Sequence, residues 1–328
     1  MAKRATERLK AVENVAREDE PRQRRISSVV RALDVLADPW AYLILREAFF
    51  AVRRFEEFQK NLQIARNILA GRLKRLVEEG VLERRQYQNR PPRFEYRLTP
   101  VGRDFYPAIV MLMAWGDRWR PKQDGPPLAL THVACGKRLK PAVVCRECRQ
   151  VVSPHDVTFE AGPGAGYETY AEVPSTRRSG GEDAYVRGRP CSVARALQAI
   201  GDRWSFRVLR ESFLGVRRFE DLLRNLGAAR NILTDRLGRL VADGLLERRQ
   251  YQTRPDRYEY LLTPAGLDLY PSLLLLLVWG DRWRLPPKGP PLILRHETCG
   301  KRLHPLLMCQ SCGEEVSIRQ VRYKQRYT

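Results

Sequence analysis

The chain has 328 residues, with 59 Lys and Arg against 38 Asp and Glu and a formal net charge of +21. At 43% hydrophobic and 30% charged residues it reads as globular, long enough for two or three domains that each bury a core. The longest apolar run, from Leu273, stops at Trp279, short of the ~20 residues of a spanning helix, and the charged N-terminus lacks the apolar stretch of a secretory signal, so a cytoplasmic location and a polyanionic partner are expected, nucleic acid before an anionic membrane surface.

Residues 27–153 align without a gap on residues 191–317, and more than half of the aligned pairs are identical. The period is too long for a solenoid unit and suits a duplicated domain. Along the first copy, Ser28 to Phe50 carries apolar residues at helical spacing, broken at 37–39. Two helices are expected there, the second capped by Asp38 with Pro39 in its first turn. A short helix over 55–62 follows, then a tight turn at Gln63–Ala65. A longer helix over 66–79 comes next, with Ile68, Leu69, Leu73, Leu76 and Val77 on one face and Gly80 as its stop. Val81–Tyr87 and Phe94–Leu98 alternate as the strands of a hairpin whose tip reads GlnAsnArgProProArg. Thr99 and Pro100 start a last helix that runs through Trp119.

Short helix, tight turn, longer amphipathic helix and hairpin together predict a winged helix-turn-helix. The fold class expected is α+β, mainly helical: two tandem winged helix-turn-helix domains, each followed by a small Cys3His zinc-ribbon-like extension. The boundaries read as a charged arm at 1–25, winged helices at 26–120 and 190–284, extensions at 125–155 and 289–320, and a Gly-rich, largely irregular linker at 156–189.

The runs CSVARAL, RRFEDL, RNILTDRL, LVADGLLERR, RPDRYEYLLTPAG and VWGDRW, in that order, closely resemble the HxlR-type (MarR-like) bacterial winged-helix regulators. The resemblance covers about 90 residues of each half, in line with the usual size of one small domain. It implies a cytoplasmic, dimeric transcription factor, usually a repressor, and some members sense electrophiles or oxidants through a cysteine. Two fused copies and the Cys-rich extensions depart from that pattern.

The expected partner is double-stranded DNA. Candidate contacts on the longer helices are Arg66, Asn67, Arg72, Lys74 and Arg75, and Arg230, Asn231, Thr234, Arg236 and Arg239. Arg can bind guanine and Asn adenine through two hydrogen bonds each, so Arg66, Asn67, Arg230 and Asn231 are the expected base readers. Arg90, Arg93, Arg254 and Arg257 at the hairpin tips suit phosphates. The copies differ: Lys74 is answered by Gly238 and Gly71 by Asp235, and the second wing carries fewer Arg and more acid, so unequal half-sites are expected. The apolar last helices predict an intramolecular pseudo-dimer, and a homodimer of chains stays open. A nucleoid-organising or protein-interaction module that does not read sequence is the alternative. No phosphate loop or nucleophile–base constellation points to an enzyme.

All cysteines but Cys191 fall in one spacing, His-x2-Cys then Cys-x2-Cys: His132, Cys135, Cys145 and Cys148, repeated as His296, Cys299, Cys309 and Cys312. Grouped within each copy, these make two closed structural zinc sites. Reduced thiols, a redox disulfide or an iron–sulfur cluster are the other readings of the same spacing. Cys191, between Arg189 and Arg195 and matched by Ser27 in the first copy, is a candidate redox sensor: a thiol at a helix N-terminus near Arg ionises readily.

Overall fold

A computed structural model describes residues 23–36, 38–121, 123, 125–169, 188–200 and 202–326. In the first copy the helices are α1 (Ser28–Leu36), α2 (Pro39–Phe49), α3 (Phe55–Leu62) and α4 (Arg66–Glu78). The Asp38 carboxylate accepts from the Ala41 N–H and so caps α2. Gln63, in the left-handed region at φ 50, ends α3 and turns the chain into α4. Leu69, Leu73 and Leu76 fall on one face of α4 and are buried, as the sequence pattern predicts.

The wing is β2 (Leu82–Gln88) against β3 (Arg93–Leu98), antiparallel from Leu82↔Leu98 to Gln88↔Arg93. The expected last helix is two helices, α5 (Pro100–Arg103) and α6 (Tyr106–Trp119), broken at Asp104 and Phe105. Pro107 is the physical reason, since it has no N–H to give to the preceding turn. The second copy repeats the set as α7 (Ser192–Ile200), α8 (Arg203–Phe213), α9 (Phe219–Leu226), α10 (Arg230–Ala242), β8 (Leu246–Thr253), β9 (Asp256–Leu262), α11 (Pro264–Leu267) and α12 (Tyr270–Trp283).

The two copies are interlocked. The first helix of each packs along the last helix of the other, α1 on α12 and α7 on α6, and α6 also touches α12. Both crossings need glycine: a Cβ on Gly280 would lie 2.1 Å from the Ser28 carbonyl oxygen, and one on Gly116 would lie 2.0 Å from that of Ser192. At the same crossings Ser28 donates to Asp281 at 2.5 Å, and Ser192 donates to Asp117. Indole N–H groups reach across as well. Trp115 donates to the Ala265 carbonyl at 2.8 Å and Trp279 to the Val101 carbonyl at 2.9 Å. Trp119 and Trp283 donate to Asp268 and Asp104. One continuous apolar core therefore runs through both copies.

The extensions interlock too. They contain β4 (Leu128–His132), β5 (Pro141–Cys145), β10 (Leu292–His296), β11 (Lys301–Arg302), β12 (Pro305–Cys309) and β13 (Val321–Gln325). β5 pairs with β12 and β4 with β13, each a first-copy strand on a second-copy strand.

The linker is more regular than its Gly content suggests. Residues 157–169 hold β6 (Val157–Ala161), paired to β10, and β7 (Tyr167–Thr169), paired to β1 (Gln23–Arg25). Gly162 and Gly164 let this segment run against the backbone of 289–291. Arg24 and Arg25, at the end of the charged arm, meet Asp34 and Glu168, and Glu211. The rest of the arm and 170–187 lie outside the described residues.

Candidate nucleic-acid interface and metal centres

Each copy presents α4 or α10 with one face in the core and the other in solvent. Arg66, Asn67 and Lys74 are exposed on α4, and Arg230, Asn231 and Thr234 on α10. Arg66 lies over the Phe55 ring at 5.0 Å. Arg230 lies over Phe219 but also grips the Glu220 carboxylate with two hydrogen bonds, at 2.8 and 3.1 Å. That hydrogen bond holds the Glu220 carboxyl below its usual range. Thr234 donates to the Arg230 carbonyl at 2.9 Å, and Lys74 lies 3.7 Å from Glu78.

Other candidates turn toward the body. Arg72 and Arg236 are half-buried and pair with Asp38 and Asp202, the residues that cap α2 and α8. These clasps fix the longer helix to the helix behind it. Burial raises the Asp38 carboxyl above its usual value, although Arg72 opposes the shift. Arg75 donates to the Asp34 carbonyl at 2.7 Å, and Arg239 pairs with Asp235 at 3.2 Å.

The wing tips carry Arg90, Arg93, Arg254 and Arg257, all exposed. Behind them Arg84 stacks on Phe94 and Arg248 on Tyr258, each 3.5 Å from the ring centroid. Sequence reasoning passes over Arg54 and Arg218, which open α3 and α9. They stack on Tyr87 and Tyr251 of the wing at 5.0 and 4.9 Å, and so join wing to helix-turn-helix. The signal for them is the ArgArgPhe triplet that both copies share.

The Cys/His ligands assemble differently from the grouping by copy. One cluster is His132, Cys135, Cys309 and Cys312; the other is Cys145, Cys148, His296 and Cys299. Each takes its His–Cys pair from one copy and its Cys–Cys pair from the other. The exchange follows from the sheet: β5 leaves its own β4 to pair with β12, which carries Cys145 and Cys309 to the opposite His–Cys turn. Within each cluster every ligand atom lies within 4.8 Å of the others. His132 Nδ1 is 3.7 Å from Cys135 Sγ and 3.3 Å from Cys312 Sγ, and His296 Nδ1 is 3.3 Å from Cys148 Sγ and 3.6 Å from Cys299 Sγ.

Those spacings fit a tetrahedral ion with metal–sulfur bonds of about 2.3 Å. All of these cysteines are free thiols. Burial alone would raise the Cys145 and Cys309 thiols. Backbone N–H groups, from Cys148 and Glu147 and from Ser311 and Lys140, bring both below the ordinary value, which favours the ligating thiolate.

Cys191 lies at the start of α7, half-buried, beside Arg46 rather than Arg195. Arg195 is engaged with Asp117, Ser192 and the Arg120 carbonyl. Burial opposes the Arg46 charge, but Cys191 and Glu47 outweigh it and hold the guanidinium above its ordinary value. His155 and His304, which lack a ligand pattern in the sequence, are exposed.

No described helix is long and apolar enough to cross a membrane. Comparison with known proteins places the two winged-helix regions. Residues 35–124 and 199–287, more than half of the chain, match the HxlR-like helix-turn-helix family. The uncharacterised HTH-type transcriptional regulator Rv3095 of Mycobacterium tuberculosis is 50% identical over 130 residues, which cover 40% of this chain and 82% of that protein. YdeP of Bacillus subtilis, another uncharacterised HTH-type transcriptional regulator, is 32% identical over 97 residues, 29% of this chain and 76% of that protein. The uncharacterised HTH-type regulator sll1512 of Synechocystis is 34% identical over 103 residues, 31% of this chain and 76% of that protein. With the interlocked winged helices described above, the chain belongs to the HxlR-like helix-turn-helix family and holds two copies of its domain.

Proposed function

We propose that this chain is a sequence-specific DNA-binding transcriptional repressor that reads two unequal half-sites on one duplex. The observation that carries the reading is the pair of exposed Arg–Asn steps, Arg66–Asn67 and Arg230–Asn231, each at the solvent-facing start of the second helix of a helix-turn-helix. In that position a helix enters the major groove, and the two side chains read guanine and adenine edges. The crossings of α1 with α12 and α6 with α7 make the chain its own dimer, with reading helices expected about 34 Å apart, one DNA turn. Arg90, Arg93, Arg254 and Arg257 add phosphate contacts that carry little sequence information.

Two structural zinc ions complete this reading, one per Cys3His cluster; each would tie the copies together and supply fold stability rather than chemistry. Cys191 serves as a thiol sensor: oxidation there would disturb Arg46 and, through it, the buried Glu47 that holds Asn61 at the end of α3. Selection of bound sites from random duplexes tests the function. Two half-sites about ten base pairs apart, preferred over bulk DNA by about a thousandfold or more, are expected. Binding without preference would overturn the reading. Diamide treatment that leaves operator affinity of wild type and Cys191→Ser equal would remove the sensor.

A further inference from the structure

The β4–β13 ribbon has one face on the body of the first copy and the other in solvent. Val321 and Tyr323 turn inward beside Phe49 and Tyr106, so alternation along β13 turns Arg322 and Lys324 outward. Arg326 extends the same row, its N–H donating to the Pro127 carbonyl at 3.0 Å. Thr131 of β4 lies opposite Arg322 and bridges Arg138 on its other side, which brings a further cation onto that face. All of these Arg and Lys side chains are exposed. Arg322, Lys324 and Arg326 make no side-chain hydrogen bond or ion pair among the described residues. Arg138 feels the charge of Asp117, a carboxylate that Ser192 and Arg195 already engage. The second extension builds the same face differently. Thr158, Glu160 and Gly162 stand at the places of Arg322, Lys324 and Arg326, and Glu160 takes Arg295 at 3.0 Å.

We propose that this face of the ribbon binds the phosphate backbone of duplex DNA just outside the first half-site, an inference that rests on the DNA reading above. Spacing is one reason. Outward side chains two residues apart on a strand lie ~6.8 Å from each other, twice the ~3.4 Å rise of one DNA strand, so the row can meet every second phosphate. Continuity with the wing is the other. Tyr323 donates to the Phe50 carbonyl at 3.1 Å and packs its ring on that of Phe50. Three residues further on, the carbonyl of the exposed Arg53 accepts from the Tyr96 N–H of β3, and Arg54 stacks on Tyr87 of β2. Ribbon and wing thus flank one short loop, which sets their cations next to each other. The outward row, Arg322, Lys324, Arg326, Arg138 and Thr131, has no ring on which single-stranded bases could stack and no large apolar group to enter a lipid surface.

The test compares the full metal-loaded chain with a variant carrying Arg322→Gln, Lys324→Gln and Arg326→Gln together, and with a control carrying Arg295→Gln and Arg302→Gln on the second extension. Equal metal content and equal thermal midpoints show that all three are folded. Binding to a duplex of random sequence is followed between about 50 and 200 mM salt. Loss of three phosphate contacts at ~0.9 each should lower the salt slope of the ribbon variant by about 2.7, so that its affinity gain over that range is about fortyfold smaller. The control should keep the wild-type slope. This arm needs no preferred sequence, so its failure is distinct from failure of the regulator reading. On the selected operator, lengthening one end of the duplex by about ten base pairs should tighten wild type by about tenfold, and lengthening the other end should not; the ribbon variant should lose that difference. An unchanged slope in the ribbon variant, with or without lost binding to phosphatidylserine vesicles, would overturn the proposal, as would an equal loss in the control or equal gains at both ends. Two duplexes held per chain, with the second lost in the ribbon variant, would overturn it as well, since the ribbon would then hold a separate duplex.

Discussion

The two copies share a backbone plan but use their cations differently. On the first, Arg66 stacks on a ring and has no acidic partner among the described residues, and Glu95 is satisfied by Arg97, which leaves Arg85 of the wing available. On the second, Leu261 replaces Arg97, and Glu259 takes Arg249 at 2.6 Å instead. Arg230 is likewise held by Glu220, and Arg239 by Asp235 where the first copy has Gly71. The fold is thus duplicated faithfully while the outward charge is not. Difference in neighbours, rather than in the exposed Arg and Asn residues themselves, separates the two copies.

The largest expected effect treats the copies as equals. Because each metal cluster draws on both, Cys135→Ser and Cys299→Ser should each lower bound zinc from two per chain to one. Each should also destabilise the whole chain by several kcal/mol of the ~10–16 that a structural zinc can contribute. Metal analysis with thermal unfolding checks this, and independent loss of one half alone would break the exchange. Next come the crossings. Gly116→Val and Gly280→Val each set a side chain against a carbonyl and should cost about 1–3 kcal/mol, read as reduced denaturation midpoints of similar size.

Smaller effects should divide the copies. Arg66→Ala is expected to weaken operator binding by ~1–3 kcal/mol, and Arg230→Ala by clearly less, since Arg230 must first leave Glu220. Equal losses in a binding titration would remove the asymmetry. The smallest and most pointed change is Glu220→Gln. Freeing Arg230 from an exposed ion pair worth at most ~1 kcal/mol should strengthen binding about two- to fivefold, with no such gain from Glu56→Gln in the first copy.

Much of this was legible in the sequence, because periodicity and caps are local properties. Leu69, Leu73 and Leu76 announce a half-buried helix, Asp38 its neighbour's start, and the repeated ArgProXaaArg tips a stiff wing. The ligand types of the metal centres were equally plain. Their pairing was not: identical spacing in both copies makes a set within one copy and a set across copies the same pattern on paper. Only the docking of β5 on β12 decides between them. Arg72 and Arg236 show the same limit. Helical spacing puts them on the polar side, but it does not reveal the caps of α2 and α8 waiting behind that side. The strands in the linker depend on a distant partner edge, which no window of sequence contains, whereas the break before α6 follows from Pro107, a local signal that the sequence reading passes over.

The crossed ligand sets bear on how the protein is made. Synthesis delivers His132, Cys135, Cys145 and Cys148 early, yet neither cluster can reach four ligands from them in the described arrangement. One must wait for Cys299 and the other for Cys312, which are made only with the second copy. A nascent first copy therefore emerges with its thiols open to the cell, and a chain cut short before Cys299 completes neither centre.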